Sequence, residues 1–322
     1  MDSARWRACA TSLGAIVLSM PKALVILLVC CCVANAQAHK NAAEQLGYDA
    51  NTKLLIVHAD DLAVAHSVDL ASFAALDVRS VTAASIMVPC PWLTEVAAYA
   101  KEHADADLGL HLTLTSEWKN YRWGPVARQA LPGLLAPDGN LWGDAAMATR
   151  QGTPGEVETE IRAQIDRAMK VGIRPTHVDS HMGVLFSPAY FPVYVKVARE
   201  YGIPFVMVRT PGAPAAFTNV LKDTDILADA YVMAGENANA ADWRDFYASA
   251  IKALKPGLTV MIVHLGHDDA ELQAITEGHP AYGSAWRQRD YDLVTSPDFR
   301  KLLQENQVKL IGWKEILTWR KH

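Results

Sequence analysis

The sequence is short of cysteine where a disulfide would need it. Four of its five cysteines, Cys9, Cys30, Cys31 and Cys32, fall within the first forty residues, leaving Cys90 alone in the remainder. A single thiol excludes an internal disulfide there. Flanked by Pro89 and Pro91 after an apolar stretch, Cys90 reads as a small buried hydrophobe and not as a nucleophile. Basic charge is also lacking: 30 Lys and Arg stand against 35 Asp and Glu, for a net charge of -5, and no Lys/Arg cluster breaks the pattern. A polyanion finds no electrostatic footprint, so nucleic acid is not an expected partner. Long apolar runs are missing too, and none reaches the roughly 20 residues that a membrane-spanning helix needs. The chain shows no internal repeat. What it does contain, 51% hydrophobic and 20% charged residues, is the composition of a folded globular protein.

The first forty residues differ from the rest. Arg5, Arg7 and Lys22 precede an apolar run from Ala23 to Ala34, and small residues follow at Ala34-Asn35-Ala36 and Ala36-Gln37-Ala38. That order is the pattern of a secretory signal peptide over residues 1–38, which predicts export to the periplasm or the exterior. An uncleaved amphipathic anchor is the bland alternative. A lipid-anchored form is a further one, because Leu28 lies three residues before Cys31. The mature domain would then span residues 39–322.

Beyond the leader, short runs rich in Val, Ile and Leu alternate with longer helix-like patterns, the signature of repeated βα units around a parallel sheet. The spacing predicts strands at Lys53–His58, Val81–Val88, Asp107–Leu114, Pro175–Asp179, Pro204–Val208, Thr259–His264 and Val308–Ile311. Helices are predicted between them at Val68–Leu76, Trp92–Glu102, Gly155–Val171, Pro188–Tyr201, Asp242–Leu254 and Pro297–Glu305. Seven such units imply an α/β fold with one domain, a (β/α) barrel or a distorted, seven-stranded relative of one. Residues 116–153 carry Trp118, Tyr121, Trp123 and Trp142 with little periodicity, and read as a long loop insertion after the third strand.

In such a barrel the chemistry gathers where strands end. The first strand leads into His58-Ala59-Asp60-Asp61, the third holds His111, the fourth leads into His177-Val178-Asp179-Ser180-His181, and the sixth ends at His264. Two adjacent carboxylates repel one another unless a cation compensates them. With Asp61 as a ligand beside His111 and His181, one divalent cation would have two imidazoles, one carboxylate and open positions, and Asp60 would be free to act as a general base toward water. Each residue has a plainer reading. An Asp-Asp pair often makes a turn or a helix cap, His111 could be a satisfied core histidine, and His177 a structural partner. Their joint arrival on separate strand ends is what independent structural roles do not explain. The insertion's Trp118, Tyr121 and Trp123 could stack on a sugar ring or simply pack the loop. Arg209 could meet a substrate anion or form a structural ion pair.

At these residues the chain resembles the YdjC-like family of carbohydrate deacetylases, also called the ChbG/HpnK group, whose members act on N-acetylated sugars. The family's L-I-x-x-A-D-D-F-G appears as Leu55 through Ala63, its G-x-H-x-x-L as Gly109 through Leu114, and its P-T-H-x-D-S-H as Pro175 through His181. The H-x-G signature is matched at His264-Leu265-Gly266, and a closing G-W-K-E-I begins at Gly312. The resemblance implies that Asp61, His111 and His181 bind the ion. By similarity to the wider polysaccharide deacetylases it implies that Asp60 is the base, although the two aspartates could exchange roles. It further implies that His264 protonates the departing amine or helps hold the tetrahedral intermediate. The family implies magnesium, whereas two imidazoles favour zinc on chemical grounds. Three positions depart from the pattern: Leu62-Ala63 replaces Phe-Gly, Met182-Gly183-Val184 replaces a histidine-rich stretch, and His58 stands where Asn is common. A glycan-binding protein that lost catalysis, and a phosphodiester hydrolase, are the rival readings. Few Arg or Lys near the motifs argue against the second.

Overall fold

A computed structural model of the chain describes residues 40–210 and 212–319, so the predicted leader lies outside the described residues. Seven parallel strands form the sheet: β1 (Lys53–Leu62), β2 (Ala83–Ile86), β3 (Leu108–Leu112), β4 (Val178–Ser180), β5 (Ala230–Val232), β6 (Gly257–Val263) and β7 (Val308–Leu310). Their order is β4-β3-β2-β1-β6-β5, with β7 added to β1. Strands β2 and β7 share one edge of β1, β7 pairing with Lys53–Leu55 and β2 with the half from His58 onward. Every strand of this central set except β5 and β7 is buried along its length or nearly so, as near-continuous Val, Ile, Leu and Ala runs in a covered parallel sheet should be.

The predicted strand Pro204–Val208 is corrected. This segment occupies a strand's place in the ring but pairs only through isolated bridges, Val178 with Phe205 and Val208 with Ala228. The reason is the brevity of its neighbour, since β4 ends at Ser180 where the chain turns into the short helical segment His181–Phe186. Those two bridges, with β5 against β6, complete the circuit back to β1 and make the fold a distorted seven-stranded barrel. Strand β5 was absent from the expectation, being three residues long and only half-buried. At the other extreme, β1 runs four residues beyond its expected end and carries both aspartates within it.

Helices pack outside the strands where periodicity placed them. The helix Pro154–Lys170 opens with a capping box between Thr153 and Glu156 and a proline in its first turn, so two orphan backbone donors are satisfied reciprocally. It buries Val157, Ile161, Ile165 and Ala168, the i, i+4, i+8 stripe of an amphipathic helix. The helix Ser284–Val294 was not expected. Its core-facing side carries Arg287 and Asp290 beside Trp286, Leu293 and Val294, so the apolar period that betrays a helix is interrupted by charge. The insertion at 116–153 is largely irregular, with a one-turn 3-10 helix at Pro132–Leu134 and a short helix at Ala145–Gln151.

Candidate active site

Adjacent residues of a regular strand point to opposite faces, so Asp60 and Asp61 should not share a site. They do because β1 bulges. Its register against β2 shifts between Ala59 and Leu62, and Asp61 takes a left-handed backbone with φ of 73°. Both carboxylates consequently face the same imidazole, His111 Nε2 lying 3.7 Å from Asp60 Oδ2 and 3.3 Å from Asp61 Oδ1. Asp tolerates this conformation better than most residues. Ala63, also at φ 73°, does not, and it stands where the family pattern has glycine.

His111 arrives from β3 and His181 from the turn after β4. Both are buried, and His181 Nδ1 is 3.5 Å from the same Asp61 oxygen. Two carboxylates behind the rings fix their orientation. His111 Nδ1 meets Asp179 Oδ1 at 2.7 Å, and His181 Nε2 meets Glu117 Oε2 at 3.1 Å. Each outer nitrogen can therefore donate to a carboxylate, and the inner nitrogen faces Asp61, where it can ligate an ion once it has lost its proton, the arrangement that orients metal-binding histidines. Among the described residues Asp61 Oδ1 accepts no hydrogen bond, although it is buried. An unpaired buried carboxylate oxygen between two imidazoles, with all three donor groups within 4.8 Å of one another, fits a divalent cation.

The other oxygen, Asp61 Oδ2, is held at 2.6 Å by Arg287, whose Nε donates to the Tyr282 carbonyl. Burial opposes ionisation of Asp61, but the guanidinium and the facing imidazoles outweigh it and hold the carboxyl well below its usual range. Asp60 has no such partner. Burial pushes its pKa up to about 8, with the neighbouring carboxylates Asp179 and Asp61 adding to the rise and His111 opposing it. Two adjacent aspartates are thus driven apart, one permanently charged and one poised to hold a proton near neutrality, which is how acid–base roles divide within a carboxylate pair. The rings move in the other sense: burial disfavours their charge, yet Asp179 and Asp60 raise His111 to about 9, and Glu117 and Asp61 raise His181 to about 10.

His264, just past β6, places Nε2 4.0 Å from Asp60 Oδ2, with its ring against Tyr282. Burial lowers its pKa to about 3, so the ring is neutral at ordinary pH. Asp290 anchors this strand end by accepting from the His264 backbone N–H at 2.9 Å and from Trp243 Nε1 at 2.9 Å.

Asp60, Asp61, His111, His181, His264 and Arg287 line a cavity of about 1060 Å³. Met182, Phe186, Met207, Phe217 and Tyr231 line it too. Trp118 also lines it, whereas Tyr121 and Trp123 do not. Tyr121 donates to the Val64 carbonyl and Trp123 Nε1 to that of Thr115, so both pack the insertion onto the barrel behind Trp118. Arg209 turns away as well, toward Asp229 at 3.8 Å, while its neighbours Val208 and Thr210 face the cavity. Sequence reasoning missed Arg287, Glu117 and Asp290 entirely. Asp179 lay within a motif already singled out, but nothing in the sequence revealed that it buttresses His111.

The chain belongs to the YdjC-like protein family, whose model matches residues 54–305. It is similar to the carbohydrate deacetylase of Geobacillus stearothermophilus, at 28% identity over 267 residues covering 81% of this chain and 97% of that protein. The carbohydrate deacetylase of Thermus thermophilus is 29% identical over 291 residues, covering 86% of this chain and 96% of that one. A candidate cellobiose-phosphate cleavage protein from Enterococcus faecalis, of known crystal structure, superposes with a TM-score of 0.68 at 22% identity, over 82% of this chain and 99% of that one, and so shares the fold.

Proposed function

We propose that this chain is an exported, divalent-cation-dependent deacetylase that hydrolyses the acetamido group of an N-acetylated sugar. The observation that carries the reading is the unpaired Asp61 oxygen facing His111 and His181 beside a second carboxylate of contrary acidity. Its full-length relatives named carbohydrate deacetylase support the substrate class. Asp61, His111 and His181 would hold the cation, which when bound supplies Lewis acidity for a carbonyl oxygen and for water.

The remaining work falls to the chain's own groups. Asp60 takes a proton from the attacking water as oxygen bonds to the acetyl carbon. The negative charge that develops on the former carbonyl oxygen needs a donor, and the neutral ring of His264 offers an N–H without bringing a competing charge. When the carbon–nitrogen bond breaks, the proton held by Asp60 passes to the departing amine, leaving acetate and a free amino sugar. Arg287 keeps Asp61 ionised throughout. Trp118 supplies an apolar ring face in the cavity for a sugar.

The test incubates the purified protein with a panel of N-acetylated mono- and oligosaccharides and measures acetate, with and without a chelator. Release that the chelator abolishes and added zinc or magnesium restores is the expected result. Asp61→Asn and His181→Ala should each abolish release while the chain stays folded, and acetate release by either variant would contradict the assignment.

A further inference from the structure

Beneath the cavity lies a second set of donors that the proposed reaction does not use. His58, His177 and Asp179 are all buried, and each offers a donor atom within 4.8 Å of the other two. His58 Nε2 is 3.1 Å from His177 Nε2 and 3.5 Å from Asp179 Oδ2.

The surrounding hydrogen bonds decide which lone pairs face inward. Thr176 Oγ1 gives its single proton to Asp107, so toward His177 Nδ1, 2.8 Å away, it can only accept. His177 Nδ1 therefore carries a proton and its Nε2 turns a lone pair toward His58. Asp179 uses Oδ1 on His111, which leaves Oδ2 facing His58. Ligation through His58 Nε2 would put that ring's proton on Nδ1, which has no partner among the described residues. Three lone pairs can converge there. At metal–ligand bonds of about 2.05 Å, the two measured edges subtend angles of about 100° and about 120°, within the range of a four-coordinate ion.

Charge points the same way. Five carboxylates (Asp60, Asp61, Asp107, Glu117 and Asp179) contact these imidazoles. Arg287 is the one permanent cation that pairs with any of them among the described residues. Asp179 has no permanent cation beside it, and its Oδ2 faces His58 at 3.5 Å.

We propose that His58, His177 and Asp179 form a second divalent-cation site directly beneath the first, of the imidazole-rich kind that suits zinc. Because Asp179 also holds His111, an ion there fixes the carboxylate that orients a ligand of the first site.

The protein is stripped with a chelator, dialysed against zinc, and its metal content per chain measured by mass spectrometry, with folding checked by circular dichroism. Two equivalents are expected in the wild type, one in His58→Asn and one in His181→Ala, which loses the first site and keeps the second. Acetate release, assayed separately, reports on the proposed reaction and does not enter this count. A wild-type count that His58→Asn leaves unchanged overturns the proposal and leaves a proton between the two rings. Should His58→Asn fail to fold, His58→Gln takes its place under the same criteria.

Discussion

Cation binding at the proposed ligands Asp61, His111 and His181 would have to displace protons, and the geometry says how many. Both rings have their inner nitrogens aimed at Asp61, and a ligating nitrogen must be unprotonated. With His111 raised to about 9 and His181 to about 10, both rings are charged at pH 7 before a cation arrives. Removing those protons at pH 7 costs about 3 and about 4 kcal/mol, at about 1.4 kcal/mol per pKa unit. The apparent affinity should therefore fall about a hundredfold for each unit of pH between 8 and 6, the slope of two protons. In the cation-free protein these raised pKa values stabilise the fold below about pH 6.5, and that contribution is lost as pH rises through 9 to 10. The stabilisation conferred by the cation runs the opposite way and grows with pH. Isothermal titration of zinc in two buffers of different ionisation enthalpy counts the protons released. About two at pH 7 are expected, and a slope of one proton or fewer would refute the arrangement of both rings as ligands.

Other consequences can be checked by substitution. Ala63→Gly relieves a left-handed alanine and should raise stability by about 1 kcal/mol in urea unfolding, a neutral or negative change contradicting the strain. Gly109→Ala would place a Cβ 2.3 Å from His177 Nε2, and should cost roughly 1–3 kcal/mol in the same assay because the ring is buried and cannot retreat. Arg287→Met leaves Asp61 as a buried charge without its guanidinium. The cation-free variant should lose about 3–5 kcal/mol, with much of that recovered on adding zinc, and equal losses with and without zinc would show that the pair has no part in the cation site.

Several features were legible in the chain because they depend on local order. The alternation of short apolar runs with amphipathic stretches reported parallel βα units, and the helix Pro297–Glu305 falls where its proline and periodicity put it. His111 and His181 were legible as partners because strand ends in a barrel share one rim. The helix Ser284–Val294 was hidden for the opposite reason: its buried side is partly charged, and a period of apolar residues cannot report a face built from Arg287 and Asp290. The aromatic residues of the insertion looked alike in sequence, yet only Trp118 reaches the cavity, since nothing local distinguishes a ring that faces a cavity from one that seals a loop.

The order of the motifs and the residue types at the strand ends determined, without any coordinates, that carboxylates and imidazoles would meet on one rim of an α/β barrel. Only the folded chain decided which of them could act together. A bulge at Asp61 turned two neighbouring aspartates to one side, and Arg287, 226 residues away in the chain, separated their acidities. Strand alternation and apolar period are short-range properties that a sequence carries openly, whereas the charge state of a buried carboxylate depends on neighbours that only the fold brings into contact.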